Sequence, residues 1–248
     1  MRYDRGYRFA GYSSGYFPPG VKWLLITNVG IFVLYFLLAR TDFGQFFRLF
    51  YLTPIAVVGH LAVWQLFTYM FLHAGIGHIL FNMLALWMFG SDLESTWGTR
   101  RFLTYYFLCG VGAGLCDVFV NLALGNYQTS TIGSSGAIYG LLLAFGMLYP
   151  DHIVLMSFLF PIKAKYFVMI MGAIAFLSSL GSSGSGVSHV AHLGGMLFGY
   201  LYLKRGFRFR VDFGYLGRAY QEWRLRRARK KFQVYLRKHG SRRDPWVQ

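Results

Sequence analysis

The chain has 248 residues, of which 55% are hydrophobic, 20% aromatic and only 14% charged. A soluble globular domain carries about 25% charged residues, so this composition, with its positive mean hydropathy and long apolar runs, excludes an ordinary soluble domain and points to a membrane protein. The net charge of +16 does not indicate nucleic-acid binding: residues 204–248 hold 15 of the 25 Lys and Arg and 3 of the 9 acids, which leaves +4 on everything before them.

Residues 1–20 are rich in Arg, Tyr and Gly and lack an apolar core. They read as a basic cytoplasmic segment without the pattern of a cleavable signal peptide. Six apolar segments follow within residues 21–203: about Trp23–Ala39, Ile79–Gly90 (starting a few residues earlier), Phe102–Leu124, Gly136–Tyr149, Tyr166–Leu180 and Val190–Leu203. Several fall short of the ~20 residues of a full span. A helix that ends below the membrane surface must be sheltered by protein or by a water-filled cavity, which predicts a recessed site. Cys109 and Cys116 would share one helix face about 10 Å apart, too far for a disulfide, and read as small buried hydrophobes.

Lys and Arg collect before the first segment, in the second-to-third connection (Arg100, Arg101), in the fourth-to-fifth (Lys163, Lys165) and in the tail. The connections NYQTSTIG and GSSGSGVS carry none. Cytoplasmic loops carry the excess of Lys and Arg, so both termini are expected in the cytoplasm. Arg40 and Arg48 are the exception, in a long first connection of the kind that obeys the rule less well. The expected fold is all-α, a bundle of six transmembrane helices. The integral, multi-pass protein is expected in a bacterial-type cell (inner) membrane.

Polar groups inside spans are expensive and mark function. The second segment carries His73, His78 and Asn82, the last two four apart and so on one helix face. The sixth carries His189 and His192, and the fourth begins at Ser134 and Ser135. No HExxH zinc helix occurs, His73 and His78 are five apart, and the sixth segment has no carboxylate, so no metal or other cofactor is expected. An aspartyl mechanism needs two embedded acids, and Asp117 is the one clear candidate. A serine nucleophile needs a base, and at a helix N-terminus it gains unpaired backbone N–H groups able to hold an oxyanion. Ser135 sits at such a start, and His192 is expected at similar depth. Small-residue rows, Gly136/Gly140/Ala144 and Ala191/Gly195/Gly199, let two membrane helices approach closely. Gly181–Leu203 holds no Asp or Glu, so a Ser–His dyad is the simpler reading than a triad. Tyr139, one turn after Ser135, is placed to stack on the imidazole.

The stretches WQLFTYMFLHAGIGHILFNM, FGSDLESTWGTRRFLTYYF, GSSGAIYG and AHLGGMLFG occur in this order within residues 22–203. Together they resemble the rhomboid family of intramembrane serine proteases. The resemblance implies a rhomboid-type bundle over residues 21–203. It implies Ser135 as nucleophile in the turn of Gly133 and Gly136, His192 as base and later acid, and His78 and Asn82 as oxyanion donors. Tyr139 matches the tyrosine packed against the base, His73 a structural histidine, and Glu94 and Arg100 structural polar residues after the second span. It further implies hydrolase activity on single-pass transmembrane proteins, cut near their outer membrane boundary. Many members have Trp-Arg where this chain has Trp64-Gln65.

A catalytically silent rhomboid-like protein that binds or escorts membrane clients is the alternative reading, and a small transporter a third. His189 reads either as a polar residue at the site mouth or as a modulator, and His60 stays unassigned. GSSG recurs at Gly181–Gly184, where it reads as a hinge or a plain linker. The basic tail, 204–248, interleaves Leu216, Tyr220, Trp223, Phe232 and Tyr235 with arginines. It is expected to form an amphipathic helix on the anionic cytoplasmic leaflet, rather than a site for nucleic acid or a partner.

Overall fold

A computed structural model describes residues 17–39, 41–156, 160–180 and 188–205, together with Leu225 and Arg227. The chain divides into a first compact unit, 1–207, and a second, 208–248, in which the described Leu225 and Arg227 are helical. The expectations for the first 16 residues, for the second GSSG and for the amphipathic tail helix lie outside the described residues.

Each apolar segment lies within, or within a residue of, a helix: α1 Pro19–Leu38, α4 Ile76–Trp97, α5 Thr99–Ala123, α6 Ser135–Leu148, α7 Ala164–Leu180 and α8 His189–Arg205. Between α1 and α4 run a 3-10 helix, Asp42–Phe50, the short helices α2 Pro54–Gly59 and α3 Gln65–Thr68, and a 3-10 turn, Tyr69–Phe71. Helices α1, α4 and α5 are long and apolar enough to cross a membrane. The 14 residues of α6 reach about 21 Å at 1.5 Å per residue, short of a ~30 Å hydrocarbon core.

Two boundaries differ from the sequence expectation. Helix α4 continues through Ser91–Trp97, because Asp92 and Glu94 end the apolar run without ending the helix. Gly98, with φ 76°, makes the break before α5, a backbone conformation that glycine adopts without steric cost. The structure is mostly helical, as expected, with one addition. The fourth-to-fifth connection is a two-stranded antiparallel hairpin, β1 Ile153–Met156 and β2 Phe160–Lys163, with Ile153 opposite Lys163 and Met156 opposite Phe160. Its apolar, β-branched residues fit a pleated, half-buried surface, and Val154 is buried. The His152 carbonyl accepts the Ala164 N–H at 2.8 Å, and the Pro150 carbonyl accepts that of Lys165 at 3.1 Å. Exposed Asp151 pairs with Lys165 at 3.1 Å and Lys163 at 3.3 Å. Hydrogen bonds from these two ammonium groups hold its carboxyl below the usual carboxylate range.

The core lies where α4, α5, α6 and α8 meet, around buried Phe102, Tyr105, Tyr106 and Phe145. The small-residue rows face each other: a Cβ built on Gly195 would overlap the Gly136 carbonyl oxygen, and one on Gly140 would lie 3.2 Å from the Gly195 oxygen. In lipid, helices gain from such close packing and from hydrogen bonds, not from hydrophobic burial. Tyr69 and Tyr105 supply those bonds, donating to the carbonyls of Gly110 (2.7 Å) and Gly140 (2.8 Å).

Buried Glu94 anchors α1. Its carboxylate accepts the N–H groups of Gly20 (2.8 Å) and Val21 (2.7 Å) and the Thr99 hydroxyl (2.6 Å). A carboxylate at a helix N-terminus satisfies orphan donors and meets the positive end of the helix dipole. Gln65, also buried, ties the first connection together. Its Oε1 accepts from Thr53 N–H (3.0 Å) and its Nε2 donates to the Leu49 carbonyl (3.2 Å), which also accepts from Trp64 Nε1 (2.9 Å).

Candidate active site

The site begins at the turn into α6. The Gly133 N–H donates to the Tyr69 carbonyl at 2.9 Å, and Gly133 has φ 123°, where L side chains are strained. A Cβ on it would also lie 2.7 Å from His78 Nε2. Ser134 is the N-cap residue, wholly buried, with its Oγ 3.4 Å from His73 Nε2. Ser135 is the first helical residue and is half-buried. Of the two serines, Ser135 therefore offers its hydroxyl to the outside, beside first-turn N–H groups that have no partner within the helix.

His192, in the second turn of α8, brings its Nε2 to 2.8 Å from Ser135 Oγ. The close approach of Gly195 to Gly136 makes this possible, since bulkier residues would hold the helices apart. The Tyr139 ring lies parallel to the imidazole, centroids 4.1 Å apart and planes 6° from parallel. The His189 ring meets it edge-on at 5.7 Å. His192 Nδ1 is buried and has no hydrogen-bond partner among the described residues.

His78 and Asn82 come from one face of α4. His78 Nδ1 accepts the Ala74 N–H at 3.4 Å, which leaves the ring proton on Nε2, the atom beside Gly133. Asn82 is 6% exposed and its Nδ2 donor is unpaired among the described residues. Ser135, His192, Tyr139, His78 and Asn82 all line one cavity of about 510 Å³. Below them its walls are apolar: Ile138 and Leu142 of α6, Met88 and Phe89 of α4, Phe167 and Met171 of α7, and β1. Chemically, this is a hydroxyl paired to an imidazole, with unspent N–H donors alongside and a greasy channel beneath. Among the described residues no three His, Cys, Asp or Glu side chains gather as a metal site would require.

The sequence profile of the Rhomboid domain matches residues 60–209. The chain belongs to the rhomboid family. Similar proteins include rhomboid protein 1, mitochondrial, of Saccharomyces cerevisiae, 32% identical over 140 residues, which are 53% of this chain and 38% of that one. The rhomboid protease GluP of Bacillus subtilis is 34% identical over 137 residues, 55% of this chain and 25% of its own. RHOMBOID-like protein 1 of Arabidopsis thaliana is 34% identical over 155 residues, 62% of this chain and 36% of its own. The chain thus spans between a quarter and two fifths of the length of these relatives. With a Rhomboid domain and three helices long and apolar enough to cross a membrane, the protein is an integral membrane protein.

Other residues of this rhomboid chain fall outside the cavity lining. Exposed His60 and half-buried His189 are not part of it, and buried His73 stacks edge-on to His78, centroids 5.1 Å apart. Two structural relationships are not among the sequence expectations. The strand β1 closes the far end of the cavity, and four apolar residues between charged loops carried too short a pattern to identify it. Asp117 bonds Ser188 across 71 residues; a buried acid in a span was its one visible signal.

Proposed function

We propose that this rhomboid protein is an intramembrane serine endopeptidase that cleaves single-pass membrane proteins near their outer membrane boundary. The observation that carries the proposal is the 2.8 Å approach of His192 Nε2 to Ser135 Oγ at the head of the cavity. His192 takes the Ser135 proton as Oγ attacks the peptide carbonyl. The oxyanion of the tetrahedral intermediate is held by the Ser135 N–H, His78 Nε2–H and Asn82 Nδ2–H. The imidazolium then gives its proton to the leaving amine, and the acyl group stays on Oγ. Water, deprotonated by His192, attacks this ester and frees the acid and Ser135. That His192 Nδ1 has no partner among the described residues favours a dyad over a triad, with Tyr139 holding the ring by stacking.

In the same proposal α1, α4, α5, α6, α7 and α8 are all spans, short α6 leaves Ser135 below the membrane surface, and both termini face the cytoplasm of a bacterial-type cell. The basic tail rests on the anionic leaflet, each cation adding about 1 kcal/mol. The test is reconstitution with a model single-pass substrate, comparing wild type, Ser135→Ala and His192→Ala, with a fluorophosphonate probe to locate the nucleophile. Cleavage by wild type alone and labelling at Ser135 are expected. Equal cleavage by all three marks it as background, rejects the protease reading and leaves client binding as the alternative. Labelling at Ser134 rejects the site assignment.

A further inference from the structure

Among the described residues no carboxylate meets the His192 ring, yet a buried carboxylate of α5 bonds Ser188, one helical turn before His192. Asp117, wholly buried on α5, accepts a short hydrogen bond on Oδ1 from the Ser188 hydroxyl. The same oxygen accepts from Asn121 Nδ2 at 3.1 Å. Ser188 immediately precedes α8, and its Oγ accepts the Ala191 N–H at 3.0 Å, the bond of an N-cap serine to the third helical residue. Its carbonyl accepts the His192 N–H at 3.4 Å. The backbone of His192 therefore hangs from Ser188, and Ser188 hangs from Asp117.

We propose that Asp117 is a positioning residue for the Ser135–His192 dyad, acting through Ser188 on the first turn of α8; this rests on the protease reading above. In a triad a carboxylate orients the base by bonding its ring. Here Nδ1 has no partner among the described residues, so the distance of Nε2 from Ser135 depends on the placement of the helix carrying it. Packing grips α8 beyond His192: a Cβ on Gly194 would lie 2.7 Å from Cys116 Cβ, and one on Gly195 would overlap Gly136. Before His192, buried Ala191 packs against Gly136, and the Asp117–Ser188 bond holds the residue that caps the helix. A hinge of this kind matters because misplacement by about 1 Å costs on the order of 10² in rate. Neither Asp117 nor Ser188 lines the cavity, so the effect falls on the chemical step and not on substrate capture.

The test uses the full chain in proteoliposomes with a model single-pass substrate, reading kcat, KM, the rate of fluorophosphonate labelling and Tm. Asp117→Ala and Ser188→Ala are expected to lower kcat and labelling about tenfold or more, with KM within twofold. Asp117→Asn, which keeps an acceptor for Ser188, and Ser188→Thr, which keeps the hydroxyl, are expected to recover most of that loss. Asp117→Ala/Ser188→Ala is expected to be no worse than the poorer single variant, because both remove the same bond. A wild type labelled at Ser135 beside an Asp117→Ala variant with unimpaired kcat overturns the proposal alone. So does a loss that tracks Tm and is not recovered by Asp117→Asn, which marks a merely structural acid. A wild type without labelling or cleavage overturns the dyad and this proposal with it.

Discussion

Tyr139 and His192 lie face to face, 4.1 Å between ring centroids and 6° from parallel. With no acceptor on Nδ1 among the described residues, this stack restrains rotation of the imidazole together with the Nε2–Ser135 bond. Aromatic stacking contributes about 0.5–1.5 kcal/mol, and about 1.4 kcal/mol is a tenfold rate. If the protease proposal holds, Tyr139→Phe is therefore expected to keep kcat within about twofold, and Tyr139→Ala to lower it about tenfold, measured on the reconstituted protein.

Among the described residues Asn82 keeps a buried donor unspent in the cavity that Ser135 also lines. If that donor serves the oxyanion, it acts in the transition state and not in the ground state. Asn82→Ala is expected to lower kcat about 10²–10³-fold with KM little changed. A change confined to KM would show that Asn82 binds substrate instead.

Gly133 combines a φ of 123° with a Cβ position 2.7 Å from His78 Nε2. Gly133→Ala both strains the backbone, at about 1–3 kcal/mol, and displaces His78. Turnover is expected to fall at least 10²-fold, with slower fluorophosphonate labelling of Ser135, in protein that still folds.

Gly195→Ala places a methyl group on the Gly136 carbonyl oxygen. Overpacking costs typically about 1–3 kcal/mol, and here the neighbour is backbone, which cannot rotate aside. A lower Tm in detergent and lost turnover are expected together. Gly30→Ala is the control, since nothing lies within 4 Å of its Cβ position, and it is expected to leave Tm unchanged or slightly raised.

Glu94→Ala removes the acceptor of two α1 N–H groups and the Thr99 hydroxyl. Hydrogen bonds to charged groups contribute about 1.5–3 kcal/mol each, so a large fall in Tm is expected. Glu94→Gln, which keeps one acceptor oxygen, is expected to fall between Glu94→Ala and wild type. Turnover per folded molecule should hold in Glu94→Gln, because Glu94 lines no part of the cavity.

Much of this was legible along the chain because lipid makes polar groups conspicuous. His78, Asn82, Ser135 and His192 stand out in apolar runs where each must have a use. The glycine rows announced where helices touch, since only small residues permit backbone contact in a bilayer. The hairpin was hidden because four-residue strands carry too few side chains for a period-two pattern, and the lysines around it read as an ordinary cytoplasmic loop.

What the sequence by itself determined is the set of helices, their apolar faces and the identity of the groups that meet at the site, because these follow from local periodicity and from the cost of polarity in lipid. What the tertiary structure decided is pairing: Glu94 with the start of α1 across 74 residues, and Asp117 with Ser188 across 71. Such partners are separated along the chain by whole helices. Which of them meet depends on helix rotation and depth, set by close packing at residues such as Gly136 and Gly195, and no local pattern encodes that.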